Sequence, residues 1–132
     1  MAKRDGQGIK REKSKAMKQT EERNSARSRI ENQIKELRHR LHICPEISGQ
    51  ERKTKAALKQ FLEESTNLEL HGCGGGFYAA YRSDMVDPAK KGIAFRADYD
   101  ALALPEGGAA HLCGHDGHAS ALCGAALLLE QQ

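Results

Sequence analysis

The segment from Gly92 to Asp98 (Gly-Ile-Ala-Phe-Arg-Ala-Asp) constrains the fold more than any other part of the sequence. It is apolar on both faces until its end, as expected of a strand that is covered on both sides. A second strand is predicted over residues 77–81, which are rich in aromatic residues. The predicted order along the chain is helix, helix, strand, strand, strand, loop, helix, and we therefore predict an α/β sandwich.

Two amphipathic helices are predicted before these strands. Apolar residues recur at helical spacing in the first helix: Ile30, Ile34, Leu37 and Leu41. Pro45 ends this helix because proline has no N–H to donate and restricts the residue before it. The second helix is predicted to begin at a capping box formed by Ser48 and Glu51. An Ala- and Leu-rich segment from about Ala119 to Glu130 predicts a buried helix near the end of the chain.

Charge is distributed unevenly along the chain. Residues 1–29 carry ten Lys and Arg against four Asp and Glu, whereas the whole chain has a net charge of +3. A basic arm can bind nucleic acid by neutralising phosphates. However, no aromatic residue is interleaved here to stack on bases, and we expect a solvated tail without a nucleic-acid partner. We predict that residues 1–27 form a basic tail, disordered or a fraying helix, and that residues 28–132 form the folded domain.

Targeting signals are not apparent in the sequence. No apolar run approaches the roughly 20 residues that span a bilayer, and the basic N-terminus is not followed by the apolar segment of a signal peptide. We therefore expect a cytoplasmic protein with no membrane partner. Cysteines of a cytosolic chain stay reduced, so the four in this sequence are expected to be free thiols: Cys44, Cys73, Cys113 and Cys123.

Four potential metal ligands lie within the six residues 113–118, Cys-Gly-His-Asp-Gly-His. Thiolate, imidazole and carboxylate are the ligand set of zinc and related divalent ions. The glycines permit a tight turn in which neighbouring side chains converge. This pattern favours a metal site. The alternative is a helix N-terminus with Asp116 as its cap and with histidines at the surface.

Two carboxylates, Asp98 and Asp100, lie at the end of the predicted strand. Ligands of open α/β sheets gather at the carboxyl ends of strands, and one of these acids could orient a metal-binding imidazole. The alternative is a pair of loop aspartates that make turn hydrogen bonds. The nearby cluster of ligands favours the site. His39 and His42, near the end of the first helix, are expected to cap and pack.

Three segments together resemble a known family. Residues 96–102 (Arg-Ala-Asp-Tyr-Asp-Ala-Leu) are followed by residues 111–118 (His-Leu-Cys-Gly-His-Asp-Gly-His), and residues 37–48 contain a His-x-x-Pro-Glu-x-Ser turn. This pattern resembles the amidohydrolase branch of the aminoacylase/carboxypeptidase metallopeptidases. Members of that branch include hippurate hydrolase and the hydrolases of indole-acetyl–amino-acid conjugates. The resemblance spans roughly residues 30–130.

The resemblance implies a three-layer α/β catalytic domain, of which residues 28–132 would be the N-terminal part. It implies a two-metal site that holds manganese or zinc, with Cys113 and His115 as metal ligands. Asp98 and Asp100 would be catalytic acids that support the metal or its histidine ligand. The implied reaction is the attack of an activated water on the amide bond of a small N-acyl amino acid, which releases a carboxylic acid and an amino acid.

The sequence also departs from the family pattern. The chain ends before the family's Glu-Glu motif, which supplies the general base and a further ligand, and before its later histidine ligands and smaller domain. We therefore expect a truncated portion that binds metal weakly and turns over poorly, with homo-oligomers formed only by the full-length enzyme. The loop between Pro105 and His111 is shorter than in many members, and the basic tail has no counterpart. The alternative function is a non-catalytic metal-binding or regulatory remnant of such an enzyme.

Overall fold

A computed structural model describes residues 6–83, 85, 87 and 89–130. Its three helices are α1 (Gly6–His42), α2 (Arg52–Ser65) and α3 (His115–Leu129). Its four strands are β1 (Glu69–Cys73), β2 (Gly76–Ala80), β3 (Leu102–Ala103) and β4 (Ala109–Ala110). The described residues thus form a mixed α/β structure.

Helix α1 extends for 37 residues and crosses the boundary predicted between residues 27 and 28. The described part of the basic segment is therefore continuous with the helix that enters the core. The division into a tail and a domain stays a prediction. Among the described residues, no helix combines the length and the apolar character that crossing a membrane requires.

The core lies where α1 packs against α3 and α2. The predicted stripe of α1 is confirmed, because Ile30, Leu37 and Leu41 are buried and Ile34 packs against them. The other two helices contribute the remaining buried apolar side chains of this cluster: Leu58, Phe61, Leu62, Ala119, Cys123 and Leu127. Burial raises the pKa of the Cys123 thiol to about 12, as expected for a thiol that packs as an apolar group.

The start of α2 differs from the predicted capping box. The helix begins at Arg52, and its N-cap Glu51 makes no side-chain cap hydrogen bond. Ser48 therefore lies one turn too early to cap it. The Glu46 carboxylate takes over this role, since it accepts the backbone N–H of Thr54 at 2.7 Å and that of Lys53 at 3.2 Å.

The strands form two separate antiparallel pairs, β1 with β2 and β3 with β4. The predicted strand over residues 77–81 is confirmed by β2, whereas the strand predicted from Gly92 to Asp98 is wrong. Ile93 and Phe95 of that segment are 86% and 75% exposed. No described strand lies beside the segment to pair with its backbone, so its apolar side chains lack the cover that a central strand needs. The described residues accordingly contain no three-layer α/β sheet.

Candidate metal centre

A short hairpin brings the two predicted halves of the site together. Strand β3 follows Asp100 and pairs with β4, which leads back to His111. The turn between the strands contains Gly107 and Gly108, both at positive φ, a region that L side chains avoid. Upstream of β3, the backbone N–H of Ala101 donates to the Glu46 carbonyl at 2.7 Å. The residues around Asp100 are therefore held between the turn after α1 and the start of α3.

Helix α3 begins directly within the predicted ligand cluster. Its N-cap is Gly114, at φ 76° in the left-handed region, and His118 N–H donates to the Gly114 carbonyl at 3.0 Å. The positive φ explains why glycine separates the two predicted ligands. Cys113 consequently lies just before the helix, and His115 lies in its first turn.

The strongest polar contact of the candidate site joins His115 and Asp100. His115 Nδ1 lies 2.7 Å from Asp100 Oδ1, and the two side chains are 31% and 26% exposed. A carboxylate oxygen accepts, so Nδ1 is the nitrogen that donates to Asp100, and in the neutral imidazole Nε2 is the nitrogen left to coordinate a metal. A carboxylate that holds the far nitrogen of an imidazole is the usual support of a metal-ligating histidine.

Asp98 lies beside the same pair but makes different contacts. Its carboxylate accepts from Arg96 Nη2 at 2.8 Å and Arg96 Nε at 3.0 Å, and its backbone N–H donates to His118 Nδ1 at 3.4 Å. The Arg96 hydrogen bonds lower the pKa of Asp98. Desolvation opposes this lowering, and the nearby charges of Arg96, His115 and His118 add to it. Asp98 is therefore a carboxylate that stays ionised next to two imidazoles.

The Cys113 thiol is exposed and free. With the Nε2 atom of His115, it supplies the soft and borderline donors that suit zinc, while the neighbouring carboxylates suit manganese. Among the described residues, no three His, Cys, Asp or Glu side chains form a group that could hold a metal ion. The chemistry of the donors thus fits part of a metal ligand set.

Behind the turn, Asp116 points away from solvent into the contact between α3 and α1. It is fully buried, and its Oδ2 atom lies 2.8 Å from His42 Nδ1 and 3.3 Å from Arg38 Nε. Burial by itself raises the pKa of Asp116. The hydrogen bond from His42, the Gly117 N–H and the charges of Arg38 and His111 more than offset burial and lower this pKa overall.

Sequence reasoning missed the role of α1 in this region. His42, expected to cap and pack, holds Asp116 and stacks on the His111 ring at a centroid distance of 6.1 Å. His111 is buried, and within the described residues neither of its ring nitrogens has a hydrogen-bond partner. The spacing of four residues between Arg38 and His42, which places both on one helix face, was the available signal.

Comparisons with known proteins agree with the resemblance at a coarse level. The chain is 37% identical over 115 residues to N-acetyl-L-cysteine deacetylase of Bacillus subtilis, covering 79% of this chain and 27% of that protein. It is 36% identical over 104 residues to N-acyl-L-amino acid amidohydrolase of Geobacillus stearothermophilus, covering 71% and 28%. For thermostable carboxypeptidase 1 of Saccharolobus solfataricus, identity is 32% over 110 residues, covering 76% and 28%.

The chain spans about a quarter of the length of these curated relatives. No family model and no solved structure matches it. Over the matched region, this chain is distantly homologous to N-acyl amino acid amidohydrolases and carboxypeptidases.

Proposed function

We propose that the chain contributes the first metal-ligand motif of a metal-dependent hydrolase that cleaves the amide bond of N-acyl amino acids. The contact between His115 Nδ1 and Asp100 Oδ1 at 2.7 Å carries this proposal. It joins two motifs that lie 15 residues apart, and it leaves an imidazole nitrogen free for coordination. The named relatives, which include a deacetylase and an amidohydrolase, support the class of reaction.

In this proposal, Cys113 and His115 hold a divalent ion, zinc or manganese. When bound, such an ion acidifies water and polarises an amide carbonyl. Asp100 fixes the orientation and the tautomer of His115. Asp98, ionised through its contact with Arg96, adds a negative charge next to the histidines. The finer assignment, to the branch of hippurate hydrolase and indole-acetyl–amino-acid hydrolases, rests on the motifs in residues 96–102 and 111–118.

Metal binding by the purified chain tests the site. Zinc affinity is measured by competition with a chromophoric chelator for the wild type, Cys113→Ala and His115→Ala. Cys73→Ala is the matched control, because that cysteine is also exposed and lies in β1, outside the candidate site. We expect both site variants to lose binding and the control to keep it. Equal affinity in all four proteins would refute the proposed ligands.

The second candidate function, a metal-binding module without turnover, is favoured by the lack of a third metal-ligand side chain among the described residues. Release of the free amino acid from N-acetyl amino acids, with and without added zinc or manganese, separates the two candidates. Hydrolysis that requires metal and is lost in Cys113→Ala supports the enzyme. Metal binding without hydrolysis supports the module.

A further inference from the structure

Asp116, Arg38 and His42 form a partly buried polar contact that the proposed reaction does not use. Asp116 is fully buried, immediately follows His115, and takes both of its side-chain partners from α1. We propose that Arg38 and His42 act through Asp116 as positioning residues that set the orientation of the metal-binding turn. This inference rests on the proposed function, since it assigns the turn from Cys113 to His115 to a metal.

The contact is directional in a way that apolar packing is not. Arg38 and His42 lie one helical turn apart on α1 and contact the same oxygen, Asp116 Oδ2: His42 Nδ1 by a hydrogen bond, and Arg38 Nε by an ion pair. A hydrogen bond and an ion pair that converge on one atom restrict both the rotation and the shift of the first turn of α3. His115 belongs to that turn, so its backbone is held by Asp116 while its ring is held by Asp100.

Stability alone is a weak reason for this arrangement. Replacement of a buried ion pair by well-packed apolar side chains is often neutral or stabilising, because ionised groups are costly to desolvate. The apolar core between α1 and α3, with Leu37, Ala119 and Cys123, already holds the two helices together. The buried carboxylate of Asp116 instead fixes the orientation of the first turn of α3. A metal ligand at the adjacent position 115 requires such a fixed orientation.

The contact of Asp116 with Arg38 and His42 lies at one end of α3 only. His42 is the last residue of α1, and the side chains of Arg38 and His42 are about half exposed, whereas the Asp116 side chain is inaccessible. The core side chains lie along the following turns of α3. The ion pair therefore governs the first turn of α3, and the core governs the rest of the helix.

The test uses cobalt(II) as the probe metal with the complete chain. Affinity and the thiolate-to-cobalt absorption band are measured for the wild type, His42→Ala, His42→Asn and Cys113→Ala. His39→Ala is the matched control, since His39 is an exposed histidine one turn earlier on the same helix. Far-UV circular dichroism confirms that each variant is folded at the temperature of the titration.

We expect His42→Ala to weaken cobalt binding about tenfold and to alter the absorption band at saturating metal, as the loss of a ligand-orienting group does. His42→Asn should restore most of both, because its amide nitrogen occupies a place close to that of Nδ1. His39→Ala should match the wild type. A folded His42→Ala variant with the affinity and band of the wild type, while Cys113→Ala loses binding, would overturn the inference and leave the proposed site intact. Wild-type binding by Cys113→Ala would overturn the proposed site itself.

Discussion

The contact between α1 and α3 leads to a quantitative prediction at Gly124. A Cβ atom built on this residue would overlap Ile34 Cδ1 and lie 3.0 Å from Ile34 Cγ1. Gly124 is buried in α3, and Ile34 packs against the core from α1. The missing side chain therefore allows the two helices to approach closely, and Gly124→Ala should force them or Ile34 to move.

Two opposing effects decide the size of the change. Alanine in a helix interior is favoured over glycine by about 1 kcal/mol. Extra volume in a packed core costs about 1–3 kcal/mol, and a β-branched side chain in a helix has little freedom to rotate away. We expect a net loss of about 1 kcal/mol in the free energy of unfolding. Gly117→Ala is the matched control in the same helix, since the nearest atom to its Cβ would be Arg38 Nε at 3.9 Å.

Urea denaturation followed by far-UV circular dichroism measures both variants. The difference between them should equal the packing cost of about 1–3 kcal/mol, because the gain in helix propensity is shared. Ile34→Val, which removes Cδ1, should cost about 0.5–1.5 kcal/mol in the wild type but nothing in the Gly124→Ala background. Equal stability of Gly124→Ala and Gly117→Ala, or the same cost of Ile34→Val in both backgrounds, would refute the close approach of the helices.

Three further predictions concern Glu46, Asp100 and Gly114. Glu46→Gln should lower the free energy of unfolding by about 1 kcal/mol, because a charged cap of α2 is lost. Burial raises the pKa of Glu46, but the Thr54 and Lys53 hydrogen bonds and the Lys53 charge lower it overall. Its stabilisation should thus be complete above the unfolded-state pKa of about 4.3 and disappear as the pH falls through the lower folded value; urea titrations at several pH values would contradict this if the difference from Glu46→Gln did not shrink in acid. Asp100→Asn should weaken zinc binding about 10- to 100-fold in the chelator competition, since His115 loses its orienting carboxylate, and unchanged affinity would be evidence against that role. Gly114→Ala, at φ 76°, should lower the free energy of unfolding by about 1–2 kcal/mol and therefore lower the melting temperature. An unchanged melting temperature would argue against the left-handed N-cap.

The helices were predictable because their signals are local. The apolar stripe of α1 follows from residues three and four apart, and β2 follows from five adjacent residues. The capping box at Ser48 failed for a reason that is not local. Glu46, six residues before α2, accepts its N–H groups, and a side chain that far outside the helix forms no pattern with the residues it caps.

The segment from Gly92 to Asp98 shows the limit of hydrophobic patterning. Its composition predicts a strand that is buried on both faces. Such burial requires neighbouring strands and covering helices, which the pattern itself does not specify. No strand among the described residues pairs with this segment, and Phe95 is 75% exposed. Asp100, two residues after its end, nevertheless lies beside His115, because the β3–β4 hairpin returns the chain over a short distance. Proximity in sequence was therefore sufficient to predict that Asp100 and His115 lie close together.

The motif in residues 113–118 contains Asp116 but does not indicate which residues contact it. The residue lies next to His115, and its sequence position predicts either a potential metal ligand or a helix cap, both of which are local roles. Its contact with His42 spans 74 residues and depends on the packing of α1 on α3. That packing depends in turn on Gly124, eight residues further along α3, which admits Ile34. The small residue that brings the helices together and the acid proposed to direct the first turn are thus parts of one helix contact, and the candidate metal-binding turn lies at its end.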